Sequence, residues 1–555
     1  MILGLDVGGT QTDTVLIDNN EILAVNKIPT EPNLVQTLKT AINQVISNLD
    51  SFQIERLVFS TTMATNAIIQ NQLVDTGMII SAGPGIDPHL FSVGPAYSLV
   101  EGSLDHQGIE TWPLNKEAIL FAARQIKNKG IKTIGIVSKF SVHNSIHEIQ
   151  IKEWVTKEFQ HVSLGHSVSG FLNFPRRIAT TYLNAALSEM HNTFTTALTK
   201  ILDEKGCHAP KFILKPDGGT VELSKSNLFP ARTAQSGPAA SVMGVLALDK
   251  CKGTTLALDI GGTTTDMAVI VDGVPLRAPF GIRLGNFHTL IRSLMTRSIG
   301  LGGDSEIRVN KKGMFKIGPL RKGRPVALGG NVPTPTDAMI TLDLFNLGSK
   351  TAAIKAMSML GAGIDLDAKS TAEHVLLEMG NAIAQSVKSF VHYINSRPVY
   401  TIKEVLYEQK IEPGRLVIIG GPASQLAKYI GEALNLPYTV PAHAGVANAI
   451  GAALAMVTTE ITLQADTQRG TVIIPEACFS KAIDSAFDMD DAVRLASSTI
   501  REQALKFGAD PKGLEFSVVE KQIFNMIRNY SRVGQNIRLK LCINPGLLPG
   551  WKRNF

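Results

Sequence analysis

The sequence predicts a mixed α/β chain built from two related halves and followed by a smaller α/β region. Three observations carry this expectation. The first is an internal repeat. Leu5-Asp6-Val7-Gly8-Gly9-Thr10-Gln11-Thr12-Asp13 stands near the start, and Leu258-Asp259-Ile260-Gly261-Gly262-Thr263-Thr264-Thr265-Asp266 stands far downstream. The two copies lie much too far apart for a solenoid period, so they fit duplicated halves. The second is an alternation of short β-branched runs with helical stretches, the pattern of layered α/β domains. The third is a polar Thr/Gln stretch at Val457 to Arg469, read as a link to a C-terminal piece. These features divide the chain at 1–230, 231–459 and 460–555.

Each element has its own local reason. Both repeat copies read apolar strand, Asp, Gly-Gly-Thr turn, Asp, apolar strand, which is a hairpin with glycines where the backbone turns tightly. Leu57 to Ser60, Gly77 to Ser81, Thr133 to Val137, Lys211 to Leu214 and Leu416 to Ile419 are short apolar runs that read as strands. Asn33 to Leu49 places Leu34, Leu38, Ala41, Val45 and Leu49 on one helical face. Lys116 to Lys129, Ile178 to Asp203 and Ala372 to Asn395 also read as helices. Gly318 to Pro335 is rich in Gly, Pro and basic residues and reads as a long loop. In the C-terminal region Val493, Ala496, Ile500, Ala504 and Phe507 form a helical stripe ended by Gly508 and Pro511. Ile537 to Ile543 alternates apolar residues with Arg538 and Lys540, as a half-exposed strand does.

Composition narrows the function classes. The 555 residues are 44% hydrophobic and 18% charged, enough apolar material for sizeable cores. A net charge of +6 is too dilute to suggest a nucleic-acid partner. The four cysteines are scattered without a Cys-x-x-Cys pair, so a zinc knuckle or disulfide framework is not expected and a reducing compartment is. The N-terminus is acidic by Asp6 and has no basic leader, and the longest apolar run, Ala444 to Val457, is interrupted by Asn448. A span needs about 20 residues. The expectation is a cytoplasmic chain with no membrane partner.

The paired turns suggest a chemistry. A Gly-Gly-Thr turn exposes consecutive backbone N–H groups with no Cβ in the way, and such a nest holds phosphate. An acid just before the turn makes sense if a divalent cation lies between it and the phosphate. Taken alone, each copy could be only a hairpin. Together, with Asp, Gly-Gly-Thr and Thr-Asp repeated in register, they point to nucleotide phosphate binding. Neither a Gly-x-x-x-x-Gly-Lys-Ser/Thr loop nor a Gly-x-Gly-x-x-Gly turn after the first strand is present, so P-loop and dinucleotide sites are disfavoured.

At this point the chain resembles the actin/sugar-kinase superfamily of ATPases, in which duplicated actin-like (ribonuclease H-like) domains close a cleft over Mg-ATP. The resemblance makes Asp6 to Asp13 the first phosphate loop, Asp259 to Asp266 the second, Gly420-Gly421 the adenosine turn and Gly445 to Ala453 a small-residue helix for close packing. More narrowly, the chain is similar to the hydantoinase A/oxoprolinase family. The matching pieces run in order: Val7 to Asp13, Ser60-Thr61-Thr62-Met63-Ala64-Thr65-Asn66-Ala67, Asp217-Gly218-Gly219, Ala234 to Ala239, Asp259 to Asp266, Gly300 to Gly303, Thr336-Asp337-Ala338 and the Gly420 turn. They cover about residues 1 to 457.

That resemblance implies ATP and Mg2+ as cofactors and ATP-dependent opening of a small cyclic amide such as 5-oxoproline or a hydantoin. It assigns Asp6 and Asp259 to magnesium, with Asp13 and Asp266 completing the catalytic acids. Gly8, Gly9, Thr10, Thr12, Gly261, Gly262, Thr263 and Thr264 would hold phosphate. A separate B-type subunit often accompanies such chains, and self-association is left open. On the substrate side, Thr61, Thr62, Thr65 and Asn66 either orient a small polar ring or form an ordinary helix N-cap. Asp304 either contacts substrate or metal or is a turn Asp bonded to its own backbone. Arg176 and Arg177 read as a carboxylate clamp or, more often, a solvated face, as do Arg528, Arg532, Arg538 and Lys540. Arg297 stands where many relatives carry a His, and His288 lies out of register. Rival functions on the same architecture are a small-molecule kinase and an ATP-driven reactivating chaperone or switch.

Overall fold

A computed structural model describes residues 1–46, 54–310, 313–396 and 410–552. The first sheet runs, edge to edge, Thr220–Glu222, Lys211–Leu214, Arg56–Thr61, Ile2–Val7, Gln11–Asp18, Glu21–Pro29. Its centre is Ile2–Val7, antiparallel to Gln11–Asp18 with Asp6 opposite Asp13, and parallel to Arg56–Thr61 with Asp6 opposite Ser60. The second sheet repeats this plan. Thr254–Ile260 runs antiparallel to Thr265–Val271 with Asp259 opposite Asp266, and parallel to Arg415–Ile419. Both expected hairpins therefore form, in the same register. Central strands covered on both faces need near-continuous apolar runs, and Leu3, Leu5, Leu256, Leu258, Leu416 and Ile418 are all buried.

Two further sheets of four and five strands follow, beside short two-stranded pairs. Within the first half, His161–Leu164, Thr133–Ser138, Thr76–Ser81 and Ala96–Leu99 make a four-stranded parallel sheet. The helix Phe174–Glu204 packs against it. At the C-terminal side, Phe479–Ala482, Thr471–Ile474, Glu460–Asp466, Ser531–Cys542 and Ser517–Arg528 form an antiparallel sheet backed by the helix Met489–Lys506.

The elements expected from sequence are present with shifted ends. The helix expected over 33–49 is Leu34–Ile46, and positions 47–49 lie outside the described residues. One expectation is overturned. The polar stretch at Val457 to Arg469 holds the central strand Glu460–Asp466, whose Ile461, Leu463 and Ala465 face the core. Thr and Gln on its other face masked a period-two pattern. The stripe expected from Val493 to Phe507 is correct, and Ile537 to Ile543 belongs to the longer strand Ser531–Cys542. Among the described residues no helix is long and apolar enough to cross a membrane.

The two six-stranded sheets meet through helices packed at backbone distance. The helix Ser236–Leu248 lies against the helix Ala447–Leu454, where a Cβ on Gly451 would fall 2.2 Å from Gly244 N and 2.4 Å from Ala240 O. On the other side of the second helix, a Cβ on Gly4 would fall 2.4 Å from Ala449 O. The apolar run at 444–457 is thus a buried wedge between the two sheets. Arg415 adds a bidentate ion pair with Asp249 at 2.8 and 2.9 Å. Inserting a methyl into such a contact costs about 1–3 kcal/mol. Gly451→Ala is expected to lower the thermal midpoint by that amount of stability. Gly9→Ala, whose Cβ meets nothing within 4 Å, should leave the midpoint unchanged in the same melt.

Candidate functional site

The two hairpin turns sit at the ends of the central strands, and each is closed by one short bond. Gly8 N donates to Gln11 O at 3.0 Å, and Gly261 N donates to Thr264 O at 2.9 Å. The first tip is open, with Gly9 exposed and no atom near its Cβ position. The second tip is overlaid by the Gly300 to Gly303 run. Gly303 N donates to Gly261 O at 3.0 Å, Asp304 N donates to Gly262 O at 2.7 Å, and a Cβ on Gly302 would lie 2.6 Å from Gly261 O.

Below the turns, strand register sets Asp6 against Asp13 and Asp259 against Asp266. Asp259 Oδ2 accepts hydrogen bonds from Ser241 Oγ at 2.6 Å and Asn448 Nδ2 at 2.9 Å. Asn448 and Ser60 also lie close enough to Asp6 to favour its charged form. The Asn that interrupts the apolar run therefore reaches carboxylates of both halves. Lys27 is the one cation paired with this group among the described residues, 3.3 Å from Asp13 Oδ1. Burial, with Asp13 and Asp259 nearby, pushes the Asp6 carboxyl up to about 7. Burial followed by the charges of Asp259 and Asp6 pushes Asp266 up to about 7 as well. Burial raises Asp13 to about 6 despite Lys27.

Three acids that resist ionisation because they are desolvated and close to like charge, set beside Asp259, fit a bound cation. Asp266 Oδ1 is buried with no hydrogen-bond partner, which also suits that role. Among the described residues no three acidic, His or Cys side chains converge into a full metal cage. A cation at Asp6 and Asp259 would keep most of its ligands as water or phosphate, the habit of Mg2+ rather than Ca2+ or Zn2+. The Gly420 turn closes the site. Gly420 adopts φ +101°, and a Cβ there would lie 2.2 Å from Ile260 O and 2.7 Å from Asp259 Oδ1, while Gly421 has open space beside it.

The remaining sequence candidates divide. Thr10 is half-buried at the first tip, whereas Thr12 is buried and shares a 2.9 Å bond with Thr30. Thr263 is exposed and accepts from Arg321 at 3.2 Å, and Thr264 is half-buried beside it. Asp304 lies on the second hairpin rather than with the Thr61 run. It pairs with Arg321 at 2.9 Å and accepts from Thr336 at 3.2 Å, and burial outweighs Arg321 in raising its carboxyl. Sequence reasoning missed Arg321, whose signal was the basic content of the Gly318 to Pro335 loop.

Of the Thr61 run, Thr61 is buried and exchanges bonds with Ser236, and Thr65 Oγ1 accepts from Gln235 N at 2.7 Å. Thr62 and Asn66 bond each other at 3.3 Å and are half-buried. Thr62 stands at the N-cap position of Met63–Ile69 with no side-chain cap bond. Arg177 is neither a clamp nor a solvated face. It is fully buried and donates to the carbonyls of Phe171, Ser138 and Lys139. Arg176 donates to Phe280 O and Thr289 O. In the C-terminal basic group Lys540 is buried and pairs with Glu460 at 3.1 Å, so it is not a solvated charge. Arg297 donates to Ser389 at 3.2 Å, and His288 is exposed on the strand pair Arg283–Leu284 and Phe287–His288. Asp217, of the Asp-Gly-Gly motif, is tied to Arg292 and Thr458, and Arg292 also pairs with Glu460 at 3.4 Å.

The raised carboxyls have a measurable consequence. A carboxyl near 7 in the folded chain and near 4 when unfolded holds its proton more tightly in the folded state, so stability falls as pH rises between those values. Asp266→Asn removes that penalty. In chelator-treated protein the substitution should raise the thermal midpoint at pH 8 and do so far less at pH 4, with added Mg2+ narrowing the pH 8 difference.

Comparison with known proteins places the chain in context. Residues 2–159 match the hydantoinase/oxoprolinase N-terminal region and residues 177–461 match the hydantoinase/oxoprolinase family. Acetophenone carboxylase gamma subunit of Aromatoleum aromaticum is 27% identical over 394 residues, covering 62% of this chain and 53% of that protein. Caprolactamase subunit alpha of Pseudomonas jessenii is 24% identical over 487 residues, covering 78% and 68%. The chain thus spans about half the length of the first relative and two thirds of the second. In structure it is similar to nucleotide-free acetone carboxylase, with TM-score 0.74 at 17% identity over 100% of this chain and 88% of that one. It is also similar to the caprolactamase of P. jessenii, with TM-score 0.68 at 17% identity over 97% and 86%. These likenesses speak for the fold, a mixed α/β architecture, and the two sequence matches together show that the chain belongs to the hydantoinase/oxoprolinase family.

Proposed function

We propose that the chain is the ATP-using part of a hydantoinase/oxoprolinase-type enzyme, phosphorylating the oxygen of a small carbonyl compound in a cleft between two duplicated actin-like halves. One observation carries the reading: two Gly-Gly-Thr hairpins of equal register bring four carboxylates together beside the Gly420 turn. In this reading the tips at Gly8 to Thr10 and Gly261 to Thr264 hold phosphate oxygens, and Gly420-Gly421 receives the adenosine. Asp6 and Asp259 hold Mg2+ through water, and Asp13 and Asp266 add negative charge that retains it. Bound Mg2+ supplies neutralisation of the triphosphate. Thr12 supports the first tip through Thr30 rather than touching phosphate. Arg321 stands beside Thr263 and Asp304, where charge develops on a transferring phosphoryl group.

The chemistry suits a substrate that is a poor electrophile. A carbonyl oxygen attacks the γ-phosphorus, the bond to the β-phosphate oxygen breaks, and ADP leaves. The carbonyl carbon then carries a phosphate group, and for a lactam one water adds to that carbon, the C–N bond breaks to free the amine and leave an acyl phosphate, and a second water releases phosphate and the carboxylate. Such transfer depends on positioning and charge neutralisation more than on covalent help from the protein. Thr62 and Asn66 are the half-buried substrate-side candidates, with Thr62 Oγ1 donating to Val7 O at 3.3 Å, while Thr61 Oγ1 and Thr65 Oγ1 accept from Met63 N and Gln235 N. A separate B-type subunit belongs to this reading, because the acetophenone carboxylase and caprolactamase relatives are themselves named as subunits.

A second reading shares the phosphoryl step and differs in the fate of the phosphorylated carbonyl. Relatives named as carboxylase subunits favour a ketone that is activated for carboxylation instead of hydrolysed. Mg-ATP turnover measured with 5-oxoproline, hydantoin, N-methylhydantoin, and acetone or acetophenone plus bicarbonate separates the two. Stimulation by one class, reduced about 100-fold or more in Asp259→Asn, is the expected result. Turnover that responds to neither class would overturn both readings and leave a switch.

A further inference from the structure

Away from the hairpins, three side chains line up that the proposed function does not use. Glu148, on the helix Ile146–Val155, is fully buried. Its Oε1 accepts from Ser138 N at 2.8 Å, and its Oε2 accepts from His166 N at 2.8 Å and from His166 Nδ1 at 2.6 Å. A carboxylate with that many donors stays ionised, so Nδ1 carries the hydrogen and Nε2 is turned the other way. There it meets the thiol of Cys478, 4.0 Å from Sγ. Glu148 and His166 belong to the inserted parallel-sheet region, while Cys478 follows the short turn Pro475–Ala477 of the C-terminal sheet.

The cysteine is held for exposure. It adopts φ 50°, a left-handed backbone unusual for a residue with a side chain, and it is exposed, whereas Cys207, Cys251 and Cys542 are buried. His166 itself is 1% exposed. The groups that act on the thiol from the packed elements are His166, Lys152 of the Ile146–Val155 helix and Lys506 of the Met489–Lys506 helix, all favouring a thiolate. Arg177 lies behind Glu148 and adds positive charge there. The hydrogen bond to His166 pulls the Cys478 thiol below its ordinary range. Burial works against a charged His166, yet Cys478 and Glu148 together lift it to about 9.

We propose that Cys478, activated by His166 and Glu148, is a nucleophilic modification site that takes small-molecule disulfides. The Cys478 N–H is committed to Pro475 O at 3.0 Å, so it is not free to stabilise an acyl oxyanion, and disulfide exchange needs no such donor. The thiol proton rests on His166 Nε2. Sγ attacks one sulfur of the disulfide, a new S–S bond forms as the old one breaks, and the departing thiolate takes a proton from solvent. The product is a mixed disulfide at the seam between the inserted sheet and the C-terminal sheet.

The test uses the whole chain, brief iodoacetamide exposure and mass analysis of the Cys478 peptide. At pH 6 the site should react at least about tenfold faster than a cysteine in an unstructured peptide of ordinary thiol acidity. Its rate should rise less steeply from pH 6 to 8 than the peptide's, and in His166→Gln it should climb as steeply as the peptide's. Oxidised glutathione should add one mixed disulfide per chain at Cys478 and none in Cys478→Ser. A wild-type rate that matches the peptide and climbs with pH overturns the proposal, whatever the folding of His166→Gln. Fast alkylation without the glutathione adduct overturns the disulfide as its substrate class.

Discussion

Four carboxylates forced together under two backbone turns are the constraint on which the molecule depends. Strand pairing sets Asp6 against Asp13 and Asp259 against Asp266, and the wedge helix brings the two pairs within electrostatic reach. One lysine does not balance four acids, so the arrangement is unfavourable until a cation or protons join it. A protein tolerates such a cluster only where surrounding structure over-determines it. Here that support comes from hydrogen bonds of Ser241 and Asn448, from Ser60 close to Asp6, and from sheets whose central strands have no freedom to splay.

The wedge explains why small residues recur far from the turns. Gly4, Gly244 and Gly451 let a helix approach a strand and another helix at backbone distance. Any bulk there would move Asn448, which stands on the same helix and lies close to acids of both halves. Packing and electrostatics are therefore one problem: the distance between halves sets the repulsion among the carboxylates. Lys27, paired with Asp13, donates to Gly445 O at 2.8 Å and ties the same seam from its rim.

Much of this was legible in sequence because its determinants are local. A Gly-Gly-Thr turn between apolar runs declares its own hairpin, and the register that opposes Asp6 to Asp13 follows from the turn. The helix stripes at Leu34–Ile46 and Met489–Lys506 declare their buried faces in the same way. What stayed hidden is non-local. Nothing near Asp259 announces Ser241 or Asn448, and nothing near Thr263 announces Arg321. Arg177 misled because Arg is usually solvated, and only the fold shows three carbonyls gathered around it. The strand Glu460–Asp466 was obscured by its polar face, since a half-buried strand carries less apolar signal than a central one.

The hairpin register also governs which changes of chain length the molecule can inherit. Successive strand residues point to opposite faces, so adding one residue to the short connection between Asp6 and Asp13 would rotate one acid out of the cluster and an apolar neighbour into it. The second hairpin is bound by the same arithmetic, and its tip is further enclosed by Gly302 and Asp304. Substitutions at the exposed tip alter one contact, whereas a single insertion rewrites a whole strand face. A change of length is therefore borne by the loops beyond these turns at far lower cost than by the turns themselves.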